Sequence, residues 1–403
     1  MTTITGNVSV TLNGVTNFSV GSDAYTWSGG WLLYVDTWVR DDLGPFSASY
    51  TLSGSNWDVD LLRFTGNVRA TINDSATGTG RSIGTMTLGG LDGAGTNVVT
   101  MRNTFVDSIK GSGNVEKLTL GNAGAVVVRV EGGNDVVRTG AGEVEYLDLG
   151  RGNDSLVTGS GYVGTIIGSR GRDSITIGSG GADTVIGGGD ADTVTLSRLS
   201  NKSSVVFVDG SEGVSDSSNK DSDTLVMTAF NKKIDIDLSQ NDFVDTGYGR
   251  FLFRNFENIS SGSASDVLKG SGDVNIIKGN GGNDHITGRG GADDLYGGSG
   301  KDVFIYNSIS DSRNTSSARD TIFDFTSSDR IDLRAIDAST KSSGNQAFQF
   351  IGTKSFSGKA GELRYFKQSS DTYIQADVNG DRVADFAIHL DDAVTMQKGY
   401  FLL

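Results

Sequence analysis

Between Ser261 and Tyr306 the sequence repeats every nine residues. Asp266, Asn275, Asp284, Asp293 and Asp302 hold one position of the repeat, and Leu268, Ile277, Ile286, Leu295 and Phe304 stand two residues later. Glycines precede each acid or amide: Gly270 and Gly272, Gly279 and Gly281, Gly288 and Gly290, then Gly297. A nine-residue unit is too short for a helix and a return segment. It suits a turn of about six residues, through conformations glycine enters cheaply, and a strand of about three with one apolar side chain facing inward. Two such units close one coil. The pattern therefore predicts an all-β protein, a parallel β-roll or β-helix solenoid, with residues two repeats apart stacked on one edge.

That stacking has an electrostatic consequence. Asp266, Asp284 and Asp302 form one acidic edge, and Asn275 with Asp293 the other. Stacked carboxylates repel, and a hard cation with roughly six to eight oxygen ligands removes the repulsion. The expected metal ligands are these five side chains together with the turn glycines Gly270, Gly272, Gly279, Gly281, Gly288, Gly290 and Gly297. Calcium, as several Ca2+ ions, is the expected cofactor. The amide at Asn275 removes one charge, so the Asn275/Asp293 interval is expected to bind more weakly than its neighbours.

Upstream, a second period of nineteen residues aligns Asp135, Asp154, Asp173 and Asp192. Leu118, Val137, Leu156, Ile175 and Val194 keep the same step, as do Val128, Leu147, Ile166 and Val185. Glycine pairs mark the other turn, at Gly140/Gly142, Gly159/Gly161 and Gly178/Gly180. These rows predict parallel coils that bury two apolar rows. Metal sites are expected at Asp135, Asp154, Asp173 and Asp192, with Asp183 as a motif-like acid on the opposite edge. One register earlier stand Glu116 and then Asn97, so the acidic ladder fades toward the N-terminus.

The remaining chain reads as short β-bursts. Residues 1–82 are rich in aromatics, with Trp27, Trp31, Trp38 and Trp57, and read as a core or cap for the solenoid, or else a sugar- or partner-binding face. The expected organisation is 1–82 aromatic-rich β region, 83–199 β-helix, 200–260 β connector, 261–306 β-roll and 307–403 a C-terminal β domain. The net charge of −15 argues against a nucleic-acid or anionic-membrane partner. With no cysteine there is no disulfide to staple an extracellular fold, a role a bound cation can fill. One proline beside 58 glycines suits a solenoid that needs its backbone N–H groups. Neither a basic leader nor a long apolar run appears near residue 1, so export is expected by a route other than a cleaved signal peptide, and no transmembrane segment is expected.

The nonapeptides resemble the G-G-x-G-x-D-x-U-x units of the RTX (repeats-in-toxin) calcium-binding proteins. The run from Asp223 through FENISSGSASDVLKG resembles the segment leading into such arrays. DTIFDFTSSDRIDLRAID (320–337), AFQFIGTKSFSGKAGELRY (347–365) and DVNGDRVADFAIHL (377–390) resemble the C-terminal domain of serralysin-type metalloproteases. The resemblance spans residues 223–403 and extends loosely back to 130. It implies calcium in the turns, a C-terminal signal read by type I secretion machinery, and a protein that is secreted or held at the cell surface. GYFLL ends apolar as that family does, without the acidic residue that often precedes its last three positions.

The resemblance does not bring proteolytic activity, because the zinc helix needs three histidines and this chain has only His285 and His389. No nucleophile elbow is present, and the coils up to Leu199 offer no evident cluster of Arg, Lys, His and Tyr on one face. The acids Asp377, Asp381 and Asp385 with Asn379 read as a polar β-turn rather than a calcium loop, since Arg382 replaces the turn glycine and Ile388 the bidentate acid. The expectation is a calcium-binding structural protein, a surface-layer, matrix or adhesive scaffold that self-associates in Ca2+, with cell-surface polysaccharide as a further partner class. The alternative is a polysaccharide lyase, epimerase or glycan-binding module on a β-helix.

Overall fold

The structure is a computed structural model. It describes the backbone of residues 8–12, 26–27, 30–31, 34–39, 46–52, 58–66, 68–74, 81–89, 95–201, 204–211 and 221–403, with side chains at 61–64 and 70–74 and from 81 onward. The chain divides into two compact units, Met1–Asp223 and Thr224–Leu403. Among the described residues there is no α-helix, and the one helical turn is a 3-10 turn at Lys398–Tyr400.

In the first unit each coil contributes one strand to each of two parallel rows. One row runs through Thr96–Thr100, Val115–Thr119, Val136–Arg138, Ser155–Val157, Ser174–Ile177 and Thr193–Leu196. The other runs through Ser82–Thr87, Phe105–Ser112, Ala125–Glu131, Val144–Asp148, Val163–Arg170, Ala182–Gly189 and Val205–Asp209. The nineteen-residue rows of the sequence are register partners: Leu118 pairs with Val137, Leu156 with Ile175 and Ile175 with Val194. Val128 pairs with Leu147, and Ile166 with Val185. All these side chains are buried, so each coil stacks its apolar residues directly on those of the next.

Parallel pairing does not begin at Ile83. Tyr34–Val39 pairs with Asp58–Gly66, which pairs with Ser82–Thr87, and Phe46–Leu52 pairs with Val68–Asp74, which pairs with Thr96–Thr100. The expected boundary between 82 and 83 therefore falls inside a run of paired strands. Those earlier coils are longer, with Tyr34 opposite Leu61 and Asp58 opposite Ser82, and unequal steps leave no period to read. Val8–Leu12 adds antiparallel to Phe46–Leu52. Trp27, Trp31 and Trp38 lie in strands, but their side chains, and all of Trp57, are outside the described residues.

The second unit is built on shorter strands. One row joins Thr224–Val226, Asn258–Ser260, Ile276–Lys278, Asp294–Tyr296 and Thr321–Ile322. The other joins Asp235–Asp237, Val267–Lys269, His285–Thr287, Val303–Ile305 and Arg330–Asp332. Each central strand of the nonapeptide block has three residues with the middle one buried: Leu268, Ile277, Ile286, Leu295 and Phe304. Both rows are then covered. Phe386–Leu390 adds parallel to Thr321–Ile322 and continues into an antiparallel sheet with Thr372–Asp377 and Glu362–Lys367. Phe401–Leu402 adds parallel to Arg330–Asp332.

Candidate metal centre

Each coil turns a carboxylate inward just before a strand begins, and these carboxylates are linked in series. In the first unit the backbone N–H of Glu116 donates to Asp135 Oδ1 at 2.6 Å, and that of Asp135 to Asp154 Oδ1 at 2.6 Å. Asp154 donates in the same way to Asp173, Asp173 to Asp192, and Asp192 to Asp223, at 2.7–2.8 Å. In the second unit one edge runs from Ile234 N–H to Asp266, then Asp284, Asp302 and Asp329. The other runs from Asn275 N–H to Asp293 and then Asp320.

Oδ1 is thereby satisfied and Oδ2 is not. The Oδ2 atoms of Asp135, Asp154, Asp173, Asp192, Asp266, Asp284, Asp293, Asp302 and Asp320 are buried without a hydrogen-bond partner. A buried carboxylate oxygen with nothing opposite it is costly unless a proton or a cation supplies the missing charge. At Asp173, Asp192, Asp284, Asp293 and Asp302 a glycine five residues ahead leaves the space for one. A Cβ on Gly168 would lie 2.6 Å from Asp173 Oδ2, and one on Gly187 would lie 2.6 Å from Asp192 Oδ2 and 2.7 Å from the Gly210 carbonyl oxygen. Gly279, Gly288 and Gly297 stand in the same relation to Asp284, Asp293 and Asp302. At Gly272, Gly281 and Gly290 a methyl meets no close atom, so crowding does not account for those glycines. The donors are all oxygens, carboxylate and carbonyl, which suits a hard cation.

Electrostatics agree. Burial, with neighbouring carboxylates adding to it, pushes Asp173 up to about 9, while Asp192, Asp284 and Asp293 rise to about 7 and Asp154 to about 6. The backbone N–H on Oδ1 pulls each one partly back. Asp135, Asp266 and Asp302 are raised by burial as well, and Asp320 is raised well above its ordinary range.

Amides close the same position differently. Asn275 Oδ1 accepts Ser271 N–H at 2.7 Å, and its Nδ2 donates to the Glu257 carbonyl at 2.7 Å, so both ends of the side chain are bonded. Asn97 takes Ala70 N–H on Oδ1 and donates from Nδ2 to the Gly89 carbonyl and to Glu116. The side-chain NH2 supplies the positive end that an aspartate lacks.

Asp183 departs from expectation. It is exposed within the strand Ala182–Gly189, beside Tyr162, while Ala182 is the residue turned inward. Its GSGGAD motif is the same and it stands two residues ahead of buried Val185, as the ladder acids stand ahead of theirs, but on this edge Ala182 takes the inward place. Asp223, Asp320 and Asp329 are ladder members that spacing alone passed over. Their signal was the acid followed two residues later by Leu225, Ile322 or Ile331, hidden by longer intervening loops. Asp329 Oδ2 already accepts Thr326 N–H and its hydroxyl, which closes that edge without an ion. The turn at Asp377–Asp385 is likewise self-contained: Asp377 accepts the N–H groups of Asn379, Gly380 and Arg382, and Asp385 that of Val378. Contrary to expectation, one face of the first unit does gather basic and tyrosine side chains, at Arg129, Tyr146, Arg151 and Arg170.

Comparison with known proteins fits this geometry. The family described as "Peptidase M10 serralysin C terminal" matches residues 219–401, and the "RTX calcium-binding nonapeptide repeat (4 copies)" matches 120–143 and 158–194. No curated protein matches the chain. Among solved structures, the AlgE6R2 subunit of the Azotobacter vinelandii mannuronan C5-epimerase is 17% identical, over 44% of this chain and 91% of that one, with a TM-score of 0.25. The AlgE6R3 subunit of the same enzyme is 23% identical over 35% and 78%, with a TM-score of 0.23. The extracellular lipase LipA from Serratia marcescens is 13% identical over 81% and 40%, with a TM-score of 0.18. The chain thus carries RTX calcium-binding repeats at 120–143 and 158–194 and a serralysin-type C-terminal region at 219–401, the equipment of a secreted calcium-binding protein.

Proposed function

We propose that this protein is a structural scaffold assembled by calcium outside the cell, and that its folded coils associate with one another as surface-layer, matrix or adhesive material. The observation that carries this reading is the partnerless Oδ2 repeated coil after coil, with a glycine cradle facing it at Asp173, Asp192, Asp284, Asp293 and Asp302. In this reading Asp135, Asp154, Asp173 and Asp192 hold ions in the first unit. Asp266, Asp284, Asp293 and Asp302 hold them in the second, with carbonyls of the preceding glycine turns. Asn275 contributes no charge, and its interval binds most weakly.

Extracellular sites of this class have dissociation constants of about 10⁻⁴ to 10⁻³ M, so they fill outside the cell and empty inside it. Emptied, the carboxylates repel and the glycine-rich turns lose their reason to order, which keeps the chain unfolded for passage through type I secretion machinery. Self-association is supported by apolar side chains left exposed on or beside the strands, at Val157, Val205, Val274 and Ile276. A cell-surface polysaccharide is a second partner class.

Light scattering and negative-stain microscopy across 0 to about 10 mM calcium test this. Ordered assemblies that dissolve in chelator are expected. A folded protein that stays monomeric throughout that range overturns the scaffold role while leaving the calcium sites intact.

A further inference from the structure

One face of the first unit gathers more positive than negative charge, Arg129, Arg151 and Arg170 against Glu131 and Asp148. Arg129 lies in the strand Ala125–Glu131, Arg151 just beyond Val144–Asp148, and Arg170 at the end of Val163–Arg170. Gly132, Arg151 and Arg170 are bridged in succession as parallel neighbours, so Arg151 and Arg170 sit one coil apart on the same edge. Strands neighbouring in a sheet lie about 4.8 Å apart, so the two arginines leave the backbone at adjacent places. They line a hollow with Arg129, Glu131 and Asp148, and a second hollow that shares Arg151 and Glu131 includes Lys110.

The two acids of this wall make their contacts with other groups. Asp148 Oδ1 accepts Ser169 Oγ–H at 2.9 Å and Gly150 N–H at 3.1 Å, and the Tyr146 hydroxyl reaches Oδ2 at 3.5 Å. Glu131 pairs with Lys110 at 3.8 Å. Arg129 lies over the Tyr146 ring with Cζ 4.8 Å from its centroid, so it is held flat against the wall. Among the described residues, Arg151 and Arg170 have neither an ion pair nor a side-chain hydrogen bond. On a chain of net charge −15, two arginines one coil apart with no ion pair of their own suit an anion from outside.

We propose that this hollow binds an acidic polysaccharide, with the carboxylates of successive uronate sugars engaging Arg170 and Arg151, one coil apart, and Arg129 to one side of them. A linear polymer with one carboxylate per sugar suits two guanidinium groups on successive coils, and planar carboxylate recognition is what arginine does best. The Tyr146 ring and hydroxyl offer a sugar both an apolar face and a hydrogen bond. A nucleic acid presents a denser line of charge, which the acidic remainder of the protein repels. The inference does not depend on self-association: it needs only folded coils in the first unit.

The test uses the full chain in calcium and short, non-gelling oligouronates titrated by calorimetry, with a neutral oligosaccharide of equal length and single-stranded DNA as competitors. Binding that weakens with added salt is expected for the oligouronate alone. The R151Q/R170Q variant, altered only at exposed side chains, is expected to lose roughly tenfold or more, the order for removing two charge-assisted contacts. K354Q/K359Q, which removes the same charge from exposed positions in the second unit, is expected to bind as the parent does. Equal loss in both variants, equal binding of the neutral sugar, or tighter binding of DNA each overturns the proposal. Loss of uronate binding with calcium-dependent assembly intact separates this site from the scaffold reading.

Discussion

The two acidic ladders share one bonding scheme but stand in different surroundings. In the first unit the ladder occupies one edge, and the strands beside it run to eight residues, as in Val163–Arg170 and Ala182–Gly189. Each coil there buries several aliphatic side chains, among them Leu147, Leu149, Val163 and Ile166. In the nonapeptide block acids or amides line both edges, and each three-residue strand buries a single large side chain. Burying one such side chain is worth about 2 kcal/mol, against an ordering cost of about 1–2 kcal/mol for every residue in the unit. Apolar packing thus goes further toward holding the first ladder than the second, where the ion must make up the difference.

The largest expected effect follows directly. On chelation, amide hydrogen exchange should rise to unprotected rates across residues 261–306, while Leu118–Val194 keeps measurable protection. Uniform loss over both units would erase the contrast. Next in size is Gly279→Ala, which drives a methyl into Asp284 Oδ2. It should cost about 1–3 kcal/mol in calcium and weaken calcium binding at that turn, whereas Gly272→Ala, with open space around it, should change binding far less. Denaturant titration at fixed calcium checks the pair.

Acidity should act with opposite sign on the two forms. The ladder carboxylates are raised in the folded, ion-free state, to about 9 at Asp173 and about 7 at Asp192 and Asp284, above the unfolded value near 4. Their contribution is fully present below about pH 4 and is lost as pH rises through the folded values, so in chelator the coils should be more ordered at pH 5 than at pH 8.5. With calcium present, protons compete for the same oxygens, and the ion's affinity should fall on acidification. Circular dichroism in both conditions gives the sign. The smallest effect is expected from Asn275→Asp, which trades a fully bonded amide for a carboxylate. Calcium affinity should rise at that turn and stability in chelator should fall, by about 1–3 kcal/mol, the cost of a buried acceptor left unpaired.

Much of this was legible in the sequence because a solenoid writes its contacts as periods. Val137, Leu156 and Ile175 are spaced as they pair, and Asp266, Asp284 and Asp302 are spaced as they bond. What the period missed has physical causes. Asp320 and Asp329 follow an insertion that lengthens the loop but leaves the strand's place in the stack unchanged, so register survives where spacing does not. Asp183 shows the converse: a motif with the ladder's own spacing to buried Val185, on an edge where Ala182 takes the inward place instead. The arginine face was hidden for another reason. Its members come from three successive coils and different ends of their strands, and no linear pattern joins Arg129 to Arg170.

Phe401–Leu402 has a role in time as well as in space. These residues lie as a strand on Arg330–Asp332, and Phe401 is buried. Once they dock, the outermost strand at that end of the sheet is only two residues long, a short edge that offers little for another molecule's strand to add to. Phe401–Leu402 can dock only on a strand already in place, so this cover forms after the coil that it closes.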